Sequence, residues 1–527
     1  MPALISHHVS FQLDTGEWLF KDINFSLPEG VTGLVGRNGS GKSVFLSLLT
    51  GGLTPTQGSV SKVGSIGHYS QLPSALLNSQ VTIAQFLEID NKRSALDAIA
   101  QGSCDPRWFE IVGDDWNLEA QTLETLKNLR LPTDLDAKCC QLSGGQLALL
   151  QLYKLFESDA KILLLDEPSN HIDSVGKTWL ISRLRQTVKP VLVVSHDREL
   201  LREVSGIYQL TALGLHYFQG NYDTFYAQQS QQSLALDKRI SQLESERKRI
   251  ERQAQINREK AQQRESQGNR KRHSGSQPKI LMDAMKGKAE LSRAAALTNQ
   301  QNQLARNHAK LSELKKQQEV LKPQAVYLHN AQHAKKRTLV ILDHLRLDFG
   351  YREPIDLTIK HMERWHIEGD NGTGKSTLLK AIQGQHQYFH GHLKRMTQTV
   401  YLDQYFGLLE PSLSLLDNLM KYCAALPESD ARVLLAGIGF RKDTVYRKVG
   451  DLSGGEKMKL AMLVVSHIEG EPLLLLDEPD NHLDIDSKKI LASALHQFKG
   501  SFVVVSHDKD FVSELGITRT LTLNQSQ

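Results

Sequence analysis

Cysteine is scarce in this sequence, with four residues in 527, at positions 104, 139, 140 and 423. They form no Cys-x-x-Cys pair and no metal-ligand spacing. That argues against a zinc or disulfide framework and makes a reduced, cytoplasmic setting the expectation. Long apolar runs are missing too. Candidates such as Ile162–Leu165 and Leu473–Leu476 each stop at an aspartate, and no run comes near the roughly 18–20 residues that cross a membrane. The opening residues, Met1 to His8, carry neither the basic nor the apolar region of a signal peptide. What remains is ordinary globular composition, 40% hydrophobic and 23% charged. The length suits about three domains at roughly 100–200 residues each.

The net charge of +4 hides an uneven distribution. Residues 231–337 hold 24 Lys/Arg against 10 Asp/Glu, a local net of +14, so the remainder carries −10. An acidic body with one strongly basic segment points to an anionic partner, nucleic acid first. A solvated pair of charged helices is the plainer reading of the same run.

Self-similarity is the strongest signal. Gly36-Arg37-Asn38-Gly39-Ser40-Gly41-Lys42-Ser43 returns as Gly369-Asp370-Asn371-Gly372-Thr373-Gly374-Lys375-Ser376, 333 residues on, and Gln71 returns as Gln404 at the same offset. Leu142-Ser143-Gly144-Gly145-Gln146 returns as Leu452-Ser453-Gly454-Gly455-Glu456, offset 310. Asp166-Glu167-Pro168 and Ser195-His196-Asp197 return as Asp477-Glu478-Pro479 and Ser506-His507-Asp508, offset 311. Five elements in one order indicate a duplicated domain, at about 1–225 and 338–527, with 226–337 between. The single change of offset places an insert of about 23 residues within 72–141 of the first copy.

The connecting segment has a different pattern. Gln228–Gln263 is free of Gly and Pro, with Leu236, Ile240, Leu243 and Ile250 on a row that Arg247 interrupts. Leu297, Leu304 and Leu311, then Leu314 and Leu321, are spaced by seven. The spacing predicts an antiparallel helical hairpin. Gly268, Gly275 and Pro278 act as breakers near its tip, and Pro323 ends the second helix. Arg270, Lys271, Arg272, Lys279, Lys286 and Lys288 make the tip the candidate RNA-binding surface.

Each Gly-x-x-x-x-Gly-Lys-Ser reads as a phosphate-binding loop. The first follows apolar Val31–Val35 and precedes a predicted helix, Ser43–Leu49. The glycines let backbone N–H groups converge on phosphate oxygens at a helix N-terminus. Lys42 and Lys375 are expected to reach the β- and γ-phosphates, and Ser43 and Ser376 to ligate Mg²⁺. Asp166 and Asp477 each end an apolar strand, beside that metal. Glu167 and Glu478 follow, placed to polarise an attacking water. A strand-end Asp-Glu is often only a turn, and a strand-end histidine is usually structural. Here both are repeated, with His196 and His507 each 30 residues after the aspartate, which favours catalysis and a γ-phosphate contact.

On these motifs the chain resembles the ATP-binding-cassette ATPases, whose Leu-Ser-Gly-Gly signature separates them from other phosphate-loop enzymes. The resemblance implies an α/β fold with two phosphate-loop ATPase domains, each with a helical subdomain, joined by the helical hairpin. The cassettes would close head to tail on ATP and Mg²⁺, in a functional monomer. One site would combine Gly36, Asn38, Gly39, Gly41, Lys42, Ser43, Gln71, Asp166, Glu167 and His196 with Ser453, Gly454 and Gly455. The other would combine Gly369, Asn371, Gly372, Gly374, Lys375, Ser376, Thr377, Gln404, Asp477, Glu478 and His507 with Ser143, Gly144 and Gly145. Ser43, Gln71 and Asp166 in one site, and Ser376, Gln404 and Asp477 in the other, would surround the metal. The turns at Asp173 and Asp484 look like the family's D-loops.

More narrowly, the chain is similar to the F subfamily. It pairs two cassettes without a membrane domain, repeats Glu-Pro-x-Asn-His from Glu167 and Glu478, and carries a charged helical linker. Members typically act on ribosomes, so rRNA and tRNA are the expected partners, and binding in the ATP-closed state to regulate or rescue translation the expected role. A transporter motor and a DNA-associated ATPase are the competing readings. A motor has no evident need for a +14 hairpin. The coils of the DNA-associated relatives are generally much longer and lie within a head rather than between complete cassettes, and the zinc-type cysteines of the repair relatives are missing. Some residues depart from the family pattern. Asp480 stands where Ser or Thr is usual, the strand Arg364-Trp365-His366-Ile367-Glu368 is unusually polar, and Leu13 occupies one alignment of the base-stacking aromatic that Phe349 supplies in the second copy. Phe11 and Trp18 are the other candidates in the first copy.

Overall fold

The computed structural model describes residues 3–70, 80–170, 172–273, 294–295, 298–315, 337–385, 389–403, 406–423, 426–468, 472–481 and 483–523. They form two bodies, residues 1–223 with 324–527, and residues 224–323. The two copies of the repeat thus pack into one unit.

In the first copy, β1 (Leu4–Gln12), β2 (Trp18–Ser26) and β4 (Gln57–Lys62) form an antiparallel sheet in the order β2-β1-β4. Strands β3 (Val31–Gly36), β5 (Ile66–Tyr69), β6 (Ile162–Asp166), β7 (Val191–Val194), β8 (Gly206–Thr211) and β9 (Gly214–Gln219) form a second sheet. Its order is β5-β6-β7-β3-β8-β9, parallel except for the β8–β9 hairpin. Ile162 to Leu165 and Val191 to Val194 are buried throughout, as continuous apolar strands inside a parallel sheet must be. The sheet order puts the C-terminal ends of β3, β6 and β7 side by side, where the phosphate loop, the Asp-Glu pair and the histidine follow.

The second copy repeats this plan. Strands β10 (Thr338–Leu347), β11 (Ile355–Lys360) and β13 (Phe389–Arg395) form the antiparallel sheet. Strands β12 (Arg364–Gly369), β14 (Thr399–Leu402), β15 (Leu473–Asp477), β16 (Phe502–Val505) and β17 (Arg519–Leu523) form the parallel one, in the order β14-β15-β16-β12-β17. The polar β12 is satisfied rather than strained. Arg364 donates to the carbonyls of Leu515, His496 and Phe498 at 2.9, 2.9 and 2.7 Å, and His366 Nε2 lies 3.2 Å from the Ser506 carbonyl.

Between the parallel sheet and the signature helix each copy carries a helical subdomain. The first has helices Ile83–Phe86, Asp90–Ala100, Pro106–Val112 and Leu118–Asn128; the second has Leu415–Tyr422 and Glu428–Gly437. The insert is therefore a pair of short helices that pack on each other. The signature serines each start a helix, Gly144–Glu157 and Gly454–His467, through a reciprocal capping box with Gln146 and Glu456.

Within the body 224–323, the described residues form two helical arms. One helix spans Tyr222–His273, and residues 298–315 are helical. Asn307 Nδ2 donates to the Leu243 carbonyl at 3.3 Å and Gln300 Nε2 to that of Ile250 at 3.4 Å. Seven residues back along one helix match seven forward along the other, so the pair is antiparallel. Ile240, Ala254 and Leu311 are buried in the seam. The first helix runs through Gly268 to His273, contrary to the breaker expected there. A lone glycine costs only about 1 kcal/mol in a helix, and no proline intervenes. Lys279, Lys286 and Lys288 lie outside the described residues, as do the side chains of Arg270, Lys271 and Arg272. Among the described residues no helix is long and apolar enough to cross a membrane.

Candidate active site

Each phosphate loop joins a parallel strand to a helix, β3 to Lys42–Thr50 and β12 to Lys375–Gln383. Gly41 and Gly374 cap those helices at φ 91° and 89°. A Cβ at Gly41 would lie 2.6 Å from Leu19 Cδ2, and one at Gly374 2.9 Å from Leu347 Cδ1, so neither turn admits a larger residue. Lys42 Nζ folds back to donate to the Gly36 and Arg37 carbonyls at 2.8 and 3.2 Å. Lys375 Nζ does the same to Gly369 and Asp370 at 2.7 and 2.8 Å. Both ammonium groups are buried inside their loops, where burial lowers their pKa against the pull of nearby carboxylates.

The catalytic candidates follow the strand ends. Glu167 and Glu478 both adopt a left-handed backbone at φ 48°, uncommon for a residue with a side chain and the kind of strain that concentrates at functional sites. Each is pinned there by its own N–H, which donates at 2.9 Å to the Val194 or Val505 carbonyl. Burial raises both carboxyls to about 7, with the adjacent Asp166 or Asp477 adding to the rise. His196 Nε2 lies 3.5 Å from Glu167, and His507 Nε2 3.6 Å from Glu478. Burial pushes His507 down to about 4 and His196 well below its ordinary value, so both imidazoles are neutral near pH 7.

What holds each carboxylate differs between copies. Glu167 Oε2 accepts from the His196 backbone N–H at 3.3 Å, and its buried Oε1 has no hydrogen-bond partner. Glu478 Oε2 accepts from Asn481 Nδ2. Asp166 is raised by burial, with a Ser43 hydrogen bond and the field of His68 opposing. Asp477 Oδ2 accepts from Tyr401 Oη at 2.7 Å. His68 and Tyr401 occupy the same repeat position, three residues before the glutamines. Neither belongs to a motif, and the 333-residue offset is the one sequence signal that marks them.

The copies meet at these edges. The Asn38 N–H donates to Asp484 Oδ2 at 3.0 Å, and Arg37 lies 3.7 Å from Asp486. In the mirrored position Arg130 pairs with Asp370, and Ser174 Oγ donates to Asp370 Oδ1 at 3.4 Å. Arg202 pairs with Asp510 at 2.8 Å. One continuous cavity of 1830 Å³ runs between the copies. Asn38, Gly39, Gly41, Lys42, Ser43, Asp166, Glu167 and His196 line it, as do Asn371, Gly372, Glu478 and His507. Ser143, Gly144 and Gly145 line it as well, so the first signature and the second phosphate loop share one space.

Not every expected residue lines that cavity. Ser453, Gly454 and Gly455 begin the helix whose Lys459, lowered chiefly by burial, also feels Arg37 of the first loop. Lys375 and Asp477 are buried behind the second loop, with Ser376 exposed and Thr377 half-buried on its helix. Gly36 and Gly369 end their strands against the Leu210 and Leu523 carbonyls. Gln71 and Gln404 lie outside the described residues.

Comparison with known proteins agrees in kind. A family model described as "ABC transporter" matches residues 20–170 and 352–481, together just over half of the chain. The chain is 30% identical to the energy-dependent translational throttle protein EttA of Escherichia coli K12, covering 97% of this chain and 90% of that protein. It is 27% identical to ABC transporter F family member 5 of Arabidopsis thaliana, over 95% and 72%. Among solved structures, the RNase-L inhibitor matches at TM-score 0.52 and 17% identity, covering 99% of this chain and 88% of that one. A model of ribosome-bound archaeal Pelota and ABCE1 matches at 0.55 and 17%, over 98% and 76%. At that identity the structural matches speak for the fold alone.

Proposed function

Because the chain belongs to the ABC transporter family of ATP-hydrolysing enzymes, and within it to the F subfamily, we propose that it clamps onto ribosomes in an ATP-closed state and lets go on hydrolysis. One observation carries the closing step. The first signature, Ser143 to Gly145, and the second phosphate loop line the same cavity, so a nucleotide there contacts both halves and favours the closed form through that differential affinity. Lys42 and Lys375 bind the β- and γ-phosphates. Glu167 and Glu478 orient and polarise the water, and His196 and His507 contact the γ-phosphate.

The donor set fits a hard dication. A hydroxyl and a carboxylate meet at Ser43 and Asp166, and the second copy supplies Ser376 and Asp477. Mg²⁺ bound there, with Gln71 and Gln404, would neutralise phosphate charge. The ribosomal partner rests on the +14 segment 231–337 and on the relative named as a translational throttle. Phosphate contacts by that segment give RNA binding a steep salt dependence. The work takes place in the cytoplasm, where ribosomes are.

The test is sedimentation with ribosomes through a sucrose gradient. The Glu167→Gln/Glu478→Gln protein with ATP is expected to co-sediment, and the Lys42→Ala/Lys375→Ala protein is not. Absence of co-sedimentation despite demonstrated ATP binding would remove the ribosome from the reading and direct the search to membrane subunits and DNA.

A further inference from the structure

Two lysines, Lys488 buried and Lys177 mostly so, lie between the paired cassettes, in neither phosphate loop. Lys177 and Lys488 occupy equivalent positions one turn into the helices Ser174–Gln186 and Ile485–Gln497. Lys488 Nζ is 2.9 Å from Asp508 and 3.6 Å from Asp480; Lys177 Nζ is 2.7 Å from Asp197 and 2.8 Å from Glu199. Burying a charge is costly unless it is paired this closely. All of these but Glu199 line the cavity that holds both catalytic edges.

The contacts around each lysine form a chain that crosses the interface. Asn38, in the first phosphate loop, donates its N–H to Asp484 Oδ2 at 3.0 Å. Asp484 Oδ1 accepts from Ser487 N–H at 2.8 Å and so caps the helix that carries Lys488. Lys488 holds Asp508 Oδ2, while Asp508 Oδ1 caps the next helix through Phe511 N–H at 3.0 Å. Asp508 follows His507, which faces Glu478 at 3.6 Å. The mirrored chain starts at Asp370 in the second loop. Asp370 Oδ1 accepts from Ser174 Oγ at 3.4 Å, and Ser174 begins the helix that carries Lys177. Lys177 holds Asp197, the residue after His196, whose Nε2 lies 3.5 Å from Glu167.

We infer that Lys488 and Lys177 are positioning residues, the middle links of two crossed ion-pair relays through which each phosphate loop sets the catalytic pair of the other cassette. The inference rests on the ATPase reading of the two sites. Each relay joins a loop that would touch phosphate to a glutamate on the far side. The lysine–carboxylate pairs at its middle are short and largely buried, whereas the Ser174–Asp370 link that starts the second relay is exposed. Asp480 makes the two unequal. It gives Lys488 a second buried carboxylate where the first copy has Ser169. Burial opposes the charge on Lys488, yet Asp480 and Asp508 raise its pKa.

Single-site proteins test this. Glu167→Gln leaves only the second site able to hydrolyse, and Glu478→Gln only the first. Each alone must retain turnover and the pair must lose it; otherwise the site assignment fails, not the relay. Lys488→Met in the Glu167→Gln protein is expected to lower kcat about tenfold, with KM within about twofold, because coupling of this kind is typically 5–150-fold. In the Glu478→Gln protein the same change should cost less than about twofold, and Lys177→Met should reverse the pattern. Lys488→Arg, which keeps the charge but not the compact ammonium, should fall between the wild type and Lys488→Met. Equal losses in both backgrounds, or Arg as damaging as Met, would reduce the lysines to structural ion pairs and overturn the inference. Should the Met proteins not fold, exposed Ser174→Ala serves. It is expected to slow the first site alone by about twofold to threefold, and an unchanged rate would count against the relay.

Discussion

The two cassettes carry the same motifs in the same order, yet they hold the carboxylates proposed to be catalytic by different means. Glu167 is gripped by a backbone N–H, Glu478 by the side chain of Asn481. Asp166 faces Ser43 and His68, whereas Asp477 takes a hydrogen bond from Tyr401. Ser169 in one copy is buried Asp480 in the other. What the copies share is backbone. Both glutamates stand at φ 48° behind a 2.9 Å N–H bond to the neighbouring strand. The fold therefore sets where the carboxylate sits, and side chains set how firmly it is held, so a duplicated enzyme can tune its two sites without moving either.

The largest effect should come from the shared feature. Replacing Glu167 and Glu478 together by Gln is expected to lower ATP turnover by about 100-fold or more, the range for a positioned general base. Asn481→Ala then sharpens the comparison. In the Glu167→Gln protein, where only the second site works, it leaves Glu478 without its amide donor and should cost about tenfold in kcat, a hydrogen bond to a charged group being worth about 1.5–3 kcal/mol. In the Glu478→Gln protein it should change little. Equal losses would mean the grip on the two carboxylates is not separate after all.

Stability against pH comes next. Burial raises both carboxyls from an ordinary 4.5 to about 7 in the folded chain, so the folded state binds those protons more tightly than the unfolded one. The stability this contributes is complete below pH 4.5 and is lost as pH rises through 7. It amounts to at most roughly 3–4 kcal/mol per site at about 1.4 kcal/mol per pKa unit. Gln stays neutral throughout. Without nucleotide, each single Gln protein should therefore melt above the wild type at pH 8 and level with it near pH 4.5. Thermal unfolding across pH checks this. Because both carboxyls rise alike, a gain from only one of the two would break the equivalence of the sites.

The motifs were legible because their chemistry dictates residue type at fixed spacing. A phosphate loop needs its glycines and lysine, and a buried parallel strand must be apolar up to its terminal Asp166 or Asp477. The crossed pairing came from resemblance, and the residues that make it, such as Arg130 with Asp370, lie 240 apart in sequence with no local pattern to join them. The left-handed turn at Glu167 was invisible for a different reason, since tertiary bonding rather than residue preference imposes it. The polar β12 misled in a third way. Arg364 looks wrong for a core strand until three carbonyls from helix ends and loops are brought to it.

The smallest expected effect lies at the base end of the sites, where the copies differ again. Phe349 is 66% exposed beside the second phosphate loop, and the neighbouring Tyr351 N–H donates to Thr373 at 2.9 Å, stitching this segment to the loop. Leu13 holds the equivalent place and lines the cavity with Leu19. An aromatic face offers a purine about 0.5–1.5 kcal/mol beyond its buried area. Phe349→Ala should thus raise KM for ATP at the second site about threefold to tenfold, with kcat nearly unchanged, because the base is held equally in the ground and transition states. Leu13→Phe should lower KM at the first site by a smaller factor, since Leu13 already supplies apolar contact. Steady-state kinetics in the two single-glutamate proteins read each site alone. If Leu13→Phe left KM untouched while Phe349→Ala raised it, the first site would be taking its base on another surface, with Trp18 the next residue to change.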